Sequence, residues 1–168
     1  MVTTTTFQLV RNNAYGKLKA ITPSVLSNVL FERSPREYIE PLREWAPKVG
    51  VAALRRLEMR VDSEEDPPFC DPSAKEVKVT ATLTVAYPTA PGIYGTGLLD
   101  TDADLMTIED VIAADAKQIS DKLHSATNYV AGQNATFIVI QPTDRSNPLI
   151  WFKEFAVEIH HYKAQTLD

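Results

Sequence analysis

The stretch TIEDVIAADAKQISDKLHSATN, Thr107 to Asn128, has the repeat of a long amphipathic helix. Thr107 suits an N-cap, Asp110 stands where the second half of a capping box would be, and Glu109 adds negative charge to the first turn. Ile108, Val111, Ile112, Ala116, Ile119 and Leu123 recur at three- and four-residue steps and form one apolar stripe. Glu109, Lys117, Gln118, Asp121 and Lys122 fall on the opposite side. Such a helix is about 30 Å long. Burying its aliphatic side chains contributes on the order of 8–12 kcal/mol before chain entropy is subtracted, so it needs a sheet to lie on.

Strands are legible on both sides of it. Val51 to Val61 alternates Leu57, Met59 and Val61 with Arg56, Glu58 and Arg60. Glu76 to Tyr87 alternates more clearly, with Val77, Val79, Ala81, Leu83, Val85 and Tyr87 against Lys78, Thr80, Thr82 and Thr84. These two pair as a long antiparallel hairpin. After the helix, Thr136 to Gln141 makes a short apolar strand and Leu149 to Tyr162 a final one. In the latter, Ile150 and Phe152 fall out of phase with Phe155, which predicts a bulge near Lys153-Glu154.

Ahead of the sheet, Thr22-Pro23 reads as an N-cap followed by proline in the first turn, opening a short helix through Phe31. Ser34-Pro35-Arg36-Glu37 repeats that signal as a capping box. The helix it opens presents Tyr38, Ile39, Leu42 and Trp45, with Pro41 kinking or dividing it. Residues 1–6 read as frayed, and Phe7 to Ile21 as irregular with a weak strand. The expected fold is therefore α+β, in the order α-α-β-β-α-β-β. It is a single domain over 22–165, with an N-terminal arm over 1–21 and a tail over 166–168. One long helix covers one face of a mainly antiparallel sheet, and the face of Arg56, Glu58, Arg60, Lys78, Thr80 and Thr82 is left open.

Composition narrows the function. A 168-residue chain suits one domain of ordinary size. No run of apolar residues is long enough for a membrane span, and the start MVTTTTFQLVRNN lacks the pattern of a signal peptide. Cys70 is the single cysteine, so no internal disulfide forms. Net charge is −5 but unevenly placed: residues 1–61 carry 10 Lys and Arg against 5 Asp and Glu, while residues 62–115 carry 2 against 12. That asymmetry argues against a basic nucleic-acid groove. It suits a subunit whose basic side meets a neighbour's acidic side, or an acidic passage along which DNA slides.

Catalytic and metal motifs are not apparent. Asp100-x-Asp102-x-Asp104 opens like a calcium loop, but Leu105 and Val111 stand where glycine and glutamate are required. His160 and His161 are adjacent on a strand and point to opposite faces. Gly92, Gly95 and Gly97 lack the Lys-Ser/Thr of a phosphate loop. The expectation is a binding protein that is not an enzyme and takes no cofactor or metal.

Taken together, the helix pair ending in Phe31-Glu32-Arg33 and Leu42-Arg43-Glu44-Trp45, the strand Leu54-Arg55-Arg56-Leu57-Glu58-Met59-Arg60-Val61, the second strand ending in Tyr87-Pro88, the crossing helix and the closing strand Phe155-Ala156-Val157-Glu158-Ile159-His160 form a pattern. Over roughly residues 22–165 it resembles the tail terminator (tail-completion, or neck) proteins of long-tailed bacteriophages. The resemblance implies a virion structural protein, assembled in the host cytoplasm, whose subunits join as a ring, typically a hexamer. Such a ring caps the tail tube, ends its polymerisation and offers a joint to the head-side connector. Its partners would be itself, the tail tube protein and neck proteins, with DNA passing through the lumen unread and no membrane involved. Contacts between subunits or rings are expected from Arg55, Arg56, Arg60, Glu64, Glu65, Asp66, Tyr94, Asp100, Asp102 and Asp104. The alternatives are a head-tail connector or head-completion protein, a non-viral adaptor, and a small-molecule enzyme with its pocket between helix and sheet.

Overall fold

In the computed structural model, which describes residues 7–27, 29–49, 55–65, 74–89, 102–124 and 135–164, the chain is an α+β fold built on one five-stranded sheet. In chain order the elements are α1 (Phe7–Lys19), β1 (Glu32–Arg33), α2 (Leu42–Val49), β2 (Arg56–Glu65), β3 (Ala74–Pro88), α3 (Asp102–His124), β4 (Ala135–Ile140) and β5 (Ile150–Ala164). Strand order across the sheet is β1-β2-β3-β5-β4. Every pairing is antiparallel except β1 with β2, where Glu32 and Arg33 run parallel to Arg56 and Leu57. The expected β2–β3 hairpin pairs Arg56 with Ala86 through to Glu65 with Lys78.

The main core lies between the sheet and α3. Ile108, Val111, Ile112, Ala116, Ile119 and Leu123 are all buried against Leu83, Val85, Phe155, Val157 and Ile159, as their spacing demands. The helix starts five residues before Thr107, so that residue lies inside it.

Beside α3 lies α1, and here the expectation of an irregular arm is corrected. Ala14, Tyr15 and Leu18 form a stripe at helical spacing that enters the main core. That burial outweighs the turn tendency of Asn12-Asn13 and Gly16, as tertiary packing commonly does.

The two short helices expected next are also revised. Residues 22–27 hold no helix, and Leu26 adopts φ 52°, a left-handed conformation that ends helical continuation. Turns occupy 35–39, and α2 begins only after Pro41, which therefore divides the segment. The capping box is not made. Ser34 Oγ is buried with no hydrogen-bond partner among the described residues, and Glu37 takes partners from α1 instead. Leu42 and Trp45 are buried as expected, whereas Tyr38 and Ile39 face solvent.

The second face of the sheet is not fully open. α2 covers one end of it, packing Leu42, Trp45 and Ala46 against Ala86, Ile150 and Phe152 as a separate small core. Glu58 is buried there, its Oε2 accepting a hydrogen bond from the Leu42 N–H at 3.0 Å and so capping α2 from a neighbouring strand. This cover explains the apparent phase slip in the last strand. Ile150 and Phe152 point to the α2 face, Phe155, Val157 and Ile159 to the α3 face, and β3–β5 register runs unbroken from Ala74 opposite Ala164 to Pro88 opposite Ile150. The expected bulge at Lys153-Glu154 is absent. An irregularity falls instead in β2, between Val61 and Ser63.

Candidate interaction surface

Of the arginines expected to meet a neighbouring subunit, Arg55 cannot do so. Its side chain is fully buried, and its backbone takes φ 50°. Strand alternation, extended back from Met59 and Leu57, turns it toward α3, where Asp115 interrupts the apolar stripe. Arg55 donates from Nε to Asp115 Oδ2 at 2.7 Å and from Nη2 to Oδ1 at 3.0 Å. Its remaining N–H groups reach the carbonyls of Val25 at 2.6 Å, Leu26 at 2.8 Å and Val29 at 2.6 Å. Tyr87 donates its hydroxyl to Asp115 at 2.8 Å. All five guanidinium donors are used, and both carboxylate oxygens accept. Burial pushes the Asp115 carboxyl above its usual range, against the pull of Arg55 and Tyr87. The cluster is a structural cross-brace between α3, the sheet and the backbone at Val25, Leu26 and Val29.

The other expected contact residues are distributed unevenly. Arg56 is half-buried and pairs within the chain with Glu32 at 2.5 Å. Arg60 is exposed and pairs with Glu58 at 3.0 Å. Glu64 and Glu65 are exposed near the end of β2, past the irregularity. Asp102 and Asp104 lie in the first turn of α3. Asp66, Tyr94 and Asp100 fall outside the described residues. Among the described residues of this set, Arg60 lines a surface groove.

That feature is a groove of about 630 Å³ along β2, lined by the charged residues Arg11, Glu37, Arg60 and Asp62 and by Tyr38, Ile39, Pro41 and Val61 among others. Its geometry begins in α1. Glu37 accepts from the hydroxyl of Tyr15 and from Arg33 Nε, with Arg11 Nη1 3.7 Å away. Burial, reinforced by the Glu37 carboxylate, holds the Tyr15 hydroxyl well above the usual phenol range, so it stays a donor to Glu37. The same hydroxyl accepts from the Met59 N–H at 2.5 Å, tying α1 to β2. Arg11 and Arg33 each donate to the Tyr38 hydroxyl at 2.7 Å. The Tyr38 ring is thus pinned at its tip while 69% exposed, next to Ile39 at 75%. An exposed aromatic already fixed in one position suits a docking surface, because little side-chain entropy remains to be lost.

At the opposite edge lies β4. Its sequence, ATFIVI, has no charge, and among the described residues it pairs only with β5. Phe137 is 57% exposed and Val139 60%. Both share a face with their partners Glu158 and Ala156, the face that α2 leaves uncovered here. Sheet edges are ordinarily protected by charge, proline or a bulge, and β4 has none of these. The apolar run Thr136 to Gln141 falls on β4 within one residue at each end, while its edge position follows from the crossover that sets β5 between β3 and β4.

Among the described residues no three His, Cys, Asp or Glu side chains converge as a metal ion would require. Among the described residues no helix is long and apolar enough to cross a membrane. No protein-family model matches the chain, and no curated protein matches it at a significant level.

Proposed function

We propose that this protein is an assembly subunit that closes into a ring, in the manner of the tail terminators of long-tailed phages. The observation that carries the reading is the pair of apolar surfaces at opposite edges of one sheet: exposed Phe137 and Val139 on β4, exposed Tyr38, Ile39 and Val61 at the β2 flank. Exposed apolar patches are among the surfaces through which proteins contact one another. Supporting it are the unequal charge of residues 1–61 and 62–115 and the β2-β3-α3-β4-β5 part of the order on which the phage resemblance rests, whereas Glu32 and Arg33 form β1 and do not end a helix. The buried polar cluster that an enzyme pocket between helix and sheet would require is present, but its donors are saturated within the chain.

In this reading the ring sits at the head-proximal end of a tail tube, ends its growth and joins it to the connector, working by binding alone. Native mass measurement and negative-stain imaging of the purified protein test it. The expected result is a six-fold ring of about 110 kDa from an 18.7 kDa chain, which binds one end of isolated tail tubes. A species that stays monomeric at every concentration and never associates with tubes overturns it.

A further inference from the structure

We propose that the segment opening at Thr22 is a two-state latch. Arg55 and Gln118 hold it away from the helix that its own sequence encodes, and on release it winds into that helix. The proposal stands apart from the ring reading and needs no second copy of the chain.

The local code for the helix is complete: Thr22 as N-cap, Pro23 in the first turn, and Val25, Leu26, Val29 and Leu30 at helical spacing. Residues 22–27 nonetheless hold no helix, and the backbone groups that a helix would pair internally are held from outside. Arg55 takes the carbonyls of Val25 at 2.6 Å and Leu26 at 2.8 Å, which in a helix would accept from the N–H groups of Val29 and Leu30. Gln118 Nε2 donates to the Thr22 carbonyl at 3.0 Å, and its Oε1 accepts from the Ser24 N–H at 2.9 Å. Asp115 and Gln118 stand three residues apart on one side of α3. Arg55, gripped by Asp115, is therefore a buried inner clasp, and Gln118 is an outer clasp within reach of solvent.

Backbone strain marks the same place. Among the described residues, the non-glycine positions with positive φ are Leu26 at 52° and Arg55 at 50°, and the two touch through the Arg55 Nη1 bond to the Leu26 carbonyl. Left-handed backbone disfavours a residue such as leucine by roughly tenfold, and it persists where surrounding contacts enforce it. A strained segment gripped by two side chains, with an unstrained alternative written in its own residues, has the makings of a two-state element. In the helix the Val29 carbonyl, lying in the last turn, gains no internal partner, and Arg55 gives up three acceptors. The closed latch is therefore the resting state of the free chain. The segment leads directly into β1, where the Glu32 N–H donates to the Arg55 carbonyl at 3.1 Å, and then into the turns that carry Tyr38 and Ile39. A partner that engages Gln118 opens the outer clasp and resets the path of the chain toward those two exposed side chains.

The test is NMR relaxation dispersion and saturation transfer on the full-length labelled chain, which read the Cα shifts and population of a minor state at Val25, Leu26 and Ser27. Gln118→Ala removes the outer clasp from a surface position, and its amide spectrum away from the segment should match that of wild type. The expected minor state has helical Cα shifts, and its population rises at least tenfold in Gln118→Ala. Adding Leu26→Gly should reverse that rise by about tenfold or more, because glycine relieves the left-handed strain of the closed form and weakens the helix. Three results overturn the proposal. Minor-state shifts at random-coil values mean that the segment merely frays. No exchange at these residues in Gln118→Ala means that there is one state. A helical population that Leu26→Gly leaves unchanged or raises means that the strain at Leu26 does not set the balance.

Discussion

On the α3 face of the sheet, Arg55 is fully out of water and all five of its N–H groups meet acceptors. On the α2 face, Arg43 makes contacts that look similar on a list of distances: Nη1 to Asp144 at 2.6 Å, Nε to Glu154 at 2.8 Å, and its guanidinium 4.9 Å from the Phe152 centroid. Its side chain is 39% exposed, however, and those of Asp144 and Glu154 are 32% and 28% exposed. The two sites differ in what water can do when one partner is removed. Around Arg43 solvent can replace a lost guanidinium. Around Arg55 it cannot, and three backbone carbonyls and a carboxylate would be stranded. Hydrogen-bond lengths do not separate the sites; burial does.

The largest effect expected from that difference is for Arg55→Met. It leaves Asp115 charged and unpaired in the core and should cost about 3–5 kcal/mol in urea unfolding. Adding Asp115→Leu should recover part of the loss but not all of it, because Val25, Leu26 and Val29 still lack their donor. A cost below about 1 kcal/mol for Arg55→Met would erase the contrast between the faces. Tyr87→Phe is a milder break of the same site. It removes one donor to Asp115 without touching the guanidinium, and should cost about 1–3 kcal/mol in the same measurement.

The sequence shows each half of the buried pair as an intruder. Arg55 is in phase with Leu57 and Met59, on the apolar face of its strand, while its neighbour Arg56 falls on the other face and is half-buried. Asp115 lies within the stripe of Val111, Ile112, Ala116 and Ile119. What periodicity cannot show is that the two meet across 60 positions, or that the same guanidinium collects carbonyls from residues 25–29. That long-range claim on the backbone accompanies the absence of the helix which Thr22-Pro23 signals so clearly. Local signals were sufficient for α3 and β3, where one face is buried along most of the element. They misled at α1, whose stability comes from Ala14, Tyr15 and Leu18 reaching a distant core, and at Ile150 and Phe152, where apolar residues on both faces meant cover on both faces. For the candidate surface, the apolar character of β4 is visible in ATFIVI, but edge position is a property of topology and only the assembled sheet reveals it.

Arg43→Ala sharpens the comparison from the exposed side. The pair is half in water, so the loss should stay below about 1 kcal/mol, and it should shrink further between roughly 0.1 and 1 M salt as screening weakens the wild-type contact. Arg55→Met should show no such salt dependence. An Arg43→Ala cost as large as that of Arg55→Met, or one untouched by salt, would mean that exposure is not the deciding variable.

The smallest effect concerns protons. The Asp144 carboxyl is held down to about 2, first by the N–H of Ser146, then by Arg43. Its unfolded value is about 3.9, so the folded state binds this proton less readily. The resulting stability is fully present above about pH 4 and is lost as pH falls toward 2. Discounted for exposure, the loss should be about 1 kcal/mol or less. Asp115 works in the opposite sense: burial raises its carboxyl, so acidification favours the folded state at that site. Urea midpoints taken from pH 5 to pH 2 should therefore fall less steeply for Asp144→Asn than for wild type. Arg43→Ala should lie between them, because the Ser146 N–H remains after the guanidinium is gone. If Arg43→Ala instead matches Asp144→Asn throughout that window, the guanidinium rather than the backbone N–H sets the shift, and the exposed site depends more on its ion pair than its geometry implies.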